Sequence, residues 1–220
     1  MASESDPDLS GDLLELHDWW IERSPERPRS TTWIVDPTSA DDATEQVNRA
    51  VDSGATLIAL NIGRSSAAAR ATIAFIAGIP ATGVIDQPPD MTDERWMQVV
   101  ADIRDELAVM RQPVIGVEKS DVSGDDSDVA IATAALLAAA ARDTAVLFDG
   151  LVCHAGAVVG LRETPDAAWW WTPATSSQDP AIQAAQEQLR STPATHFATR
   201  GNGTAAIAGV LALLDVVDPI

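Results

Sequence analysis

The run Thr56-Leu57-Ile58-Ala59-Leu60-Asn61-Ile62, followed at once by Gly63-Arg64-Ser65-Ser66 and an alanine-rich stretch to Ala77, decides the fold class of this chain. A continuous apolar run without polar alternation is a strand covered on both faces, and such strands belong to parallel sheets wrapped by helices. Upstream, Ala43, Val47, Ala50 and Val51 recur at helical spacing between Ser39 and Ser53. Gly54 stands where a C-cap glycine belongs. Helix, strand, small-residue turn and helix therefore follow one another within one short segment.

The unit recurs downstream. Gly83-Val84-Ile85 predicts a short strand, and Thr92 caps a helix whose stripe is Trp96, Val99, Val100, Ile103, Leu107 and Met110, ended by Gln112-Pro113. Val114-Ile115-Gly116-Val117 predicts a further strand, Ser120–Ser127 an acidic loop, Asp128–Arg142 a helix and Ala145–Phe148 a strand. The turn Asp149-Gly150 leads into a helix over Leu151–Leu161, and Arg162–Asp179 reads as an irregular loop. Pro180–Arg190 is helical, and Arg200-Gly201-Asn202-Gly203 turns the chain into a closing apolar helix. The alternation predicts an α/β fold, a mainly parallel, Rossmann-like sheet with helices on both faces in three layers. About five strands are expected, with Leu57–Ile62, Val114–Val117 and Ala145–Phe148 innermost. Residues 1–35 read as an acidic lead and a short helix, Leu13–Glu22, that carries Trp19-Trp20 and docks elsewhere as an arm; residues 36–220 read as one α/β domain.

With 220 residues, 46% of them apolar, the chain has material for one large core. Its net charge of −19 repels phosphate backbones, which excludes nucleic acid as a partner. The longest apolar stretches, Ala130–Ala141 and Ala205–Val217, fall short of the roughly 20 residues that cross a bilayer. Met1–Gly11 lacks the positive start and apolar run of a secretory signal, so a cytoplasmic location is expected, with no membrane partner. One cysteine, Cys153, and three histidines, His17, His154 and His196, show no metal-ligand spacing, and neither a metal nor a cofactor is expected.

Ligands of such sheets bind at the carboxyl ends of the strands, where loops lead into helix starts. At Gly63, Arg64, Ser65 and Ser66, backbone N–H groups, the helix dipole and a guanidinium would converge on a phosphate, or the two serines cap the helix and nothing more. Gly201, Asn202, Gly203 and Thr204 repeat that logic, with glycines permitting close backbone approach. Asp149 would orient a ribose hydroxyl, with Gly150 beside it, or form an ordinary turn. The Gly63–Ser66 and Gly201–Thr204 turns are expected near each other at one rim of the sheet. Cys153 beside His154 reads as core. The run Trp169-Trp170-Trp171 cannot face one core throughout, so at least one ring lines a cleft or an interface, an interface being the preferred reading.

Several of these segments, in order, resemble the nicotinate-nucleotide–dimethylbenzimidazole phosphoribosyltransferase family, which joins nicotinate mononucleotide to dimethylbenzimidazole and releases nicotinate. Leu60-Asn61-Ile62-Gly63-Arg64-Ser65-Ser66 stands at the family's G-E-M-G-I-G-N-T-T loop, and Asp86-Gln87-Pro88-Pro89 at its G-R-G-T-G. Leu136-Leu137-Ala138-Ala139-Ala140-Ala141-Arg142 and Val146-Leu147-Phe148-Asp149-Gly150 are similar to A-x-L-A-A-A-A-R and V-L-L-D-G. Ser176 to Pro180 resembles a degraded H-R-S-x-E-P, which adds Ser176 to the binding candidates, and Gly201-Asn202-Gly203-Thr204 stands on G-E-G-T. The resemblance covers about residues 36–217. It implies that the family's general base, the glutamate of G-E-G-T, is Asn202 here, that the glutamate of the first loop is Asn61, and that a lysine of the middle helix is Val99. The family's large N-terminal segment has no counterpart, and no catalytic residue is assigned. The implied protein is an impaired relative that retains a mononucleotide site and acts as partner or regulator in assembly of the cobalamin lower ligand, as a homodimer or a heteromer with a full-length member. The alternatives are an active transferase, alone or completed by such a subunit, and a structural protein without a ligand.

Overall fold

The structure, a computed structural model, describes residues 9–23, 29–62, 66–111, 127–190, 193–199 and 203–217. Among these residues the sheet has four parallel strands in spatial order β1 (Thr31–Ile34), β2 (Leu57–Leu60), β3 (Ala145–Phe148) and β4 (Trp171–Pro173). β2 and β3 are the inner pair, in register from Leu57 opposite Ala145 to Leu60 opposite Phe148, and every residue of both is buried. This is the covered, unalternating run read from the sequence. The third expected inner strand, Val114–Val117, lies outside the described residues.

Side chains alternate across each strand and feed two cores. Ile58, Leu60, Val146 and Phe148 face the larger one, with α2 (Ala40–Asp52), α3 (Ala67–Ala77), α4 (Asp93–Met110), α5 (Asp128–Ala140), α6 (Leu151–Glu163) and α7 (Pro180–Leu189). Leu57, Ala59, Ala145 and Leu147 face the smaller one, closed by Leu16 and Trp20 of α1 (Leu9–Arg23) and by Ile207, Val210 and Leu214 of α8 (Gly203–Val217). Helices thus cover both faces of a parallel, Rossmann-like α/β sheet. Local chemistry sets the helix starts: the side chains of Ser39, Ser66, Thr92, Ser127 and Asp179 each accept an N–H from the first turn they precede.

Three segments depart from the sequence reading. Gly83-Val84-Ile85 is not a strand; Ala81–Val84 is one turn of 3₁₀ helix closed by the Gly83 N–H on the Pro80 carbonyl at 2.8 Å, and Val84 is apolar because it is buried. The expected irregular loop Arg162–Asp179 instead holds a 3₁₀ segment, Pro165–Trp170, then β4 and β5 (Thr175–Ser177). β5 pairs in parallel with β6 (Thr195–Thr199) as a separate ribbon. Strands of three residues are too short to display a period, and Pro173, lacking an N–H, is tolerated because among the described residues β4 is the edge of its sheet. The third departure is β1, Thr-Thr-Trp-Ile, which forms the opposite edge and carries β-branched and aromatic residues but no periodic signal.

The three adjacent tryptophans separate. Trp171 is buried and donates its indole N–H to the Leu136 carbonyl at 3.0 Å, whereas Trp170 is only partly buried against the larger core. Trp169 is half-exposed beneath the guanidinium of Arg23, whose carbon lies 4.3 Å from the ring centroid and whose Nε donates to the Trp169 carbonyl at 2.6 Å. The end of α1 is therefore clasped to this run, and Trp19, Arg23 and Trp169 line a cleft of about 910 Å³ beside the starts of β4 and β6.

Candidate functional site

At the other rim, where β2 and β3 end, the structure holds a cavity of about 980 Å³ lined by Asn61, Ser66, Asp149, Gly150 and Gly203 among others. The two turns expected near each other, represented among the described residues by Ser66 and by Gly203, both open on it. Several helix starts meet there: Ser66 and Ala67 of α3, Leu151 and Val152 of α6, Asp179 of α7 and Gly203 of α8. At α3 and α7 a side chain satisfies a first-turn N–H. At α6 it does not, because the preceding residue is Gly150, whose φ of 91° suits a residue without a Cβ. Leu151 and Val152 of the first turn of α6 line the cavity, and a helix start there brings a positive dipole end of the kind that favours an anion.

Of the sequence candidates, Ser66, Asp149, Gly150 and Gly203 line this cavity, and Thr204 contacts Asn61 beside it. Ser176 lies in β5 and is not among the lining residues, although its neighbours Ser177 and Gln178 are. Gly63, Arg64, Ser65, Gly201 and Asn202 fall outside the described residues. Val99, on α4, also lines the cavity.

Asp149 closes β3 and is 5% exposed. Burial pushes its carboxyl up from 3.8 to about 6, against the lowering effect of the Gly150 N–H, 2.8 Å from Oδ1, and of the Thr175 hydroxyl. His154, wholly buried one turn along α6, donates Nδ1–H to the Gly150 carbonyl at 2.8 Å, which leaves Nε2 to accept from Gln186 Nε2 at 3.3 Å. Burial lowers it from 6.5 to about 4, so the ring is neutral near pH 7. Cys153 is also core: its Sγ accepts the Ile62 N–H at 3.2 Å, and burial pushes the thiol up to about 12. Arg70 and Asp179, which no local signal marks, form a two-point ion pair on the cavity wall.

Asp149 and His154 oppose each other in pH dependence. His154 stays neutral in the fold while its unfolded counterpart gains a proton below 6.5, so stability falls as pH drops from 6.5 towards 4. Asp149 holds its proton more tightly folded than unfolded, so stability rises as pH drops from about 6 towards 3.8. Each effect amounts to about 3 kcal/mol at most. Asp149→Asn should remove the gain and leave the loss, giving a steeper fall in urea-unfolding free energy between pH 6.5 and 4 than wild type shows. Parallel curves for the two proteins would contradict this assignment.

Among the described residues no cluster of three or more histidine, cysteine, aspartate or glutamate side chains is placed to hold a metal ion, and no helix is long and apolar enough to cross a membrane. A phosphoribosyltransferase family model matches residues 39–216. The nicotinate-nucleotide–dimethylbenzimidazole phosphoribosyltransferase of Streptomyces avermitilis is 34% identical over 162 residues, which is 71% of this chain and 43% of the relative. The chain belongs to the nicotinate-nucleotide–dimethylbenzimidazole phosphoribosyltransferase family.

A relative of the same name from Corynebacterium efficiens is 30% identical over 175 residues, covering 76% of this chain and 46% of its own length. The chain thus spans somewhat under half the length of these relatives. In fold it is similar to CobT from Thermus thermophilus, with a TM-score of 0.64 at 21% identity over 81% of this chain and 55% of that one. The family resemblance read from Leu136–Arg142, Val146–Gly150 and their flanking motifs is therefore correct, and the α/β architecture matches that of CobT.

Proposed function

We propose that this chain is a catalytically impaired member of the family that retains a seat for nicotinate mononucleotide and serves as a partner or regulator in assembly of the cobalamin lower ligand, as a homodimer or with a full-length member. The observation that carries the reading is the convergence of the α3, α6 and α8 starts on one cavity at the carboxyl ends of β2 and β3, with α6 lacking a side-chain cap. A mononucleotide phosphate fits such a place because its charge meets aligned N–H groups and a positive dipole end. Asp86 and Asp102 on the wall disfavour an anion beside them and Arg95 favours one, whereas Asp149, next to the α6 start, opposes an anion there when ionised. Impairment is argued from the residue types that stand at the family's polar positions. Asn202 and Asn61 are amides where the family has glutamates, and an amide does not take up a proton usefully. Val99 stands for a lysine.

The second reading is an active transferase with an altered base, and Asp149 favours it, since a cavity-lining carboxyl pushed up to about 6 is poised to exchange a proton near neutrality. Its hydrogen bonds from Gly150 and Thr175 weigh against a free role.

The first test is binding. Nicotinate mononucleotide at about 100 times its dissociation constant should stabilise the native state by about 2.7 kcal/mol, read as a raised calorimetric transition. A transition that does not move at saturating millimolar ligand would remove the mononucleotide seat from the account.

A further inference from the structure

In sequence the glycines of Gly201–Thr204 read as permitting close backbone approach, and Asp149-Gly150 as a ribose-orienting aspartate or an ordinary turn. Among the described residues the structure gives two of these glycines a different neighbour. A Cβ at Gly150 would come within 2.8 Å of the Asn61 side-chain amide, and a Cβ at Gly203 within 2.9 Å of it. Both distances are below what real Cβ contacts show. The amide lies between the two glycines and is held there at both ends. With the amide assigned so that its oxygen faces Thr204, the orientation that satisfies both ends, its nitrogen donates to the Asp149 carbonyl at 3.1 Å and its oxygen accepts the Thr204 hydroxyl at 2.9 Å and the Thr204 N–H at 3.2 Å. One side chain at the end of β2 thus bridges the turn that starts α6 and the first turn of α8. The pairing needs an amide: aspartate in its place could accept from Thr204 but could not donate to the Asp149 carbonyl.

We infer that Asn61 is a positioning residue, a latch that fixes the start of α8 against the start of α6 and thereby sets the shape of the anion seat between them. The functional half of this statement rests on the mononucleotide reading; the mechanical half does not. Because α8 covers the smaller core through Ile207, Val210 and Leu214, further along the helix, release of its first turn leaves the hydrophobic anchorage in place. The latch therefore affects local order at the site more than global stability.

The test uses the full chain with and without nicotinate mononucleotide. In hydrogen exchange without ligand, Asn61→Ala should lower protection in the first turn of α8 on the order of tenfold, the equivalent of one lost hydrogen-bonded bridge, with β2 and β3 unchanged. In calorimetry the same variant should bind the mononucleotide on the order of tenfold more weakly, with a similar urea midpoint. A double-mutant cycle supplies independent evidence. Gly203→Ala should be costly in the wild type, where the new Cβ meets the amide at 2.9 Å, and cheaper in Asn61→Ala, where it meets mainly the Asp149 carbonyl carbon at 3.3 Å. Should Asn61→Ala fail to fold, Asn61→Asp, of nearly equal volume, reads the same lost donor. Unchanged protection of the α8 first turn, or equal costs for Gly203→Ala in both backgrounds, overturns the latch whatever the ligand does. The exchange effect in Asn61→Ala together with a wild-type chain that binds no mononucleotide overturns the proposed function and leaves the latch standing.

Discussion

Replacing Arg70 with alanine is expected to lower the free energy of unfolding by about 2–4 kcal/mol, read from urea denaturation at neutral pH. Arg70 projects from α3, and its two terminal nitrogens donate to the two carboxylate oxygens of Asp179 at 2.8 and 2.6 Å. One of them also donates to the Val84 carbonyl in the 3₁₀ turn. The side chains are 16% and 27% exposed, so removing the cation strands a carboxylate that water reaches only in part. Full burial would put the loss at about 3–5 kcal/mol, and the residual exposure of Asp179 reduces it. Asp179 is also the N-cap of α7, accepting the Ala181 N–H at 2.9 Å, so the pair ties α3, the 3₁₀ turn and α7 together along the cavity wall. Arg70→Lys should lie between alanine and wild type, because an ammonium supplies the charge without the planar fork that meets both oxygens. A loss below about 0.5 kcal/mol for Arg70→Ala, the level of an exposed surface pair, would show that the pair does not brace the site.

Much of the architecture was legible because it rests on local signals. The runs in β2 and β3 announce burial on both faces, and Thr92 and Ser66 mark helix starts by the chemistry of a side-chain oxygen and a first-turn N–H. The family motifs added the order of elements. Strands of three or four residues at the sheet edges were not legible, since β4 and β5 are shorter than the window in which periodicity appears, and the apolar character of Val84 serves packing in a 3₁₀ turn.

At the candidate site, turn chemistry and resemblance pick out Ser66, Asp149, Gly150 and Gly203, which line one cavity, and Thr204 beside it, because helix starts at strand ends are where such folds place ligands. What surrounds them could not be read that way. Arg70 finds Asp179 across 109 residues of sequence, and Asn61 finds Thr204 across 143. Such pairs are products of the tertiary fold and leave no spacing behind. The glycines show the limit most clearly. A glycine at a helix start reads as room for a ligand, and only the folded chain reveals that at Gly150 and Gly203 the room is taken by the Asn61 amide.

The central claim, a mononucleotide seat without transfer chemistry, is tested most directly by turnover of nicotinate mononucleotide with dimethylbenzimidazole. Loss of a general base alone slows such a reaction by about 10²–10⁴-fold. Asn202→Glu should not restore it, because the sequence resemblance also sets Asn61 and Val99 against a glutamate and a lysine of the family, and a lone base acts only on a substrate held within its reach. The measurement compares wild type, Asn202→Glu and Asp149→Asn, each alone and mixed with a full-length family member. The account predicts no α-ribazole phosphate above background from any of the three alone; robust turnover by the wild-type chain alone, abolished by Asp149→Asn, would contradict it and identify Asp149 as the base.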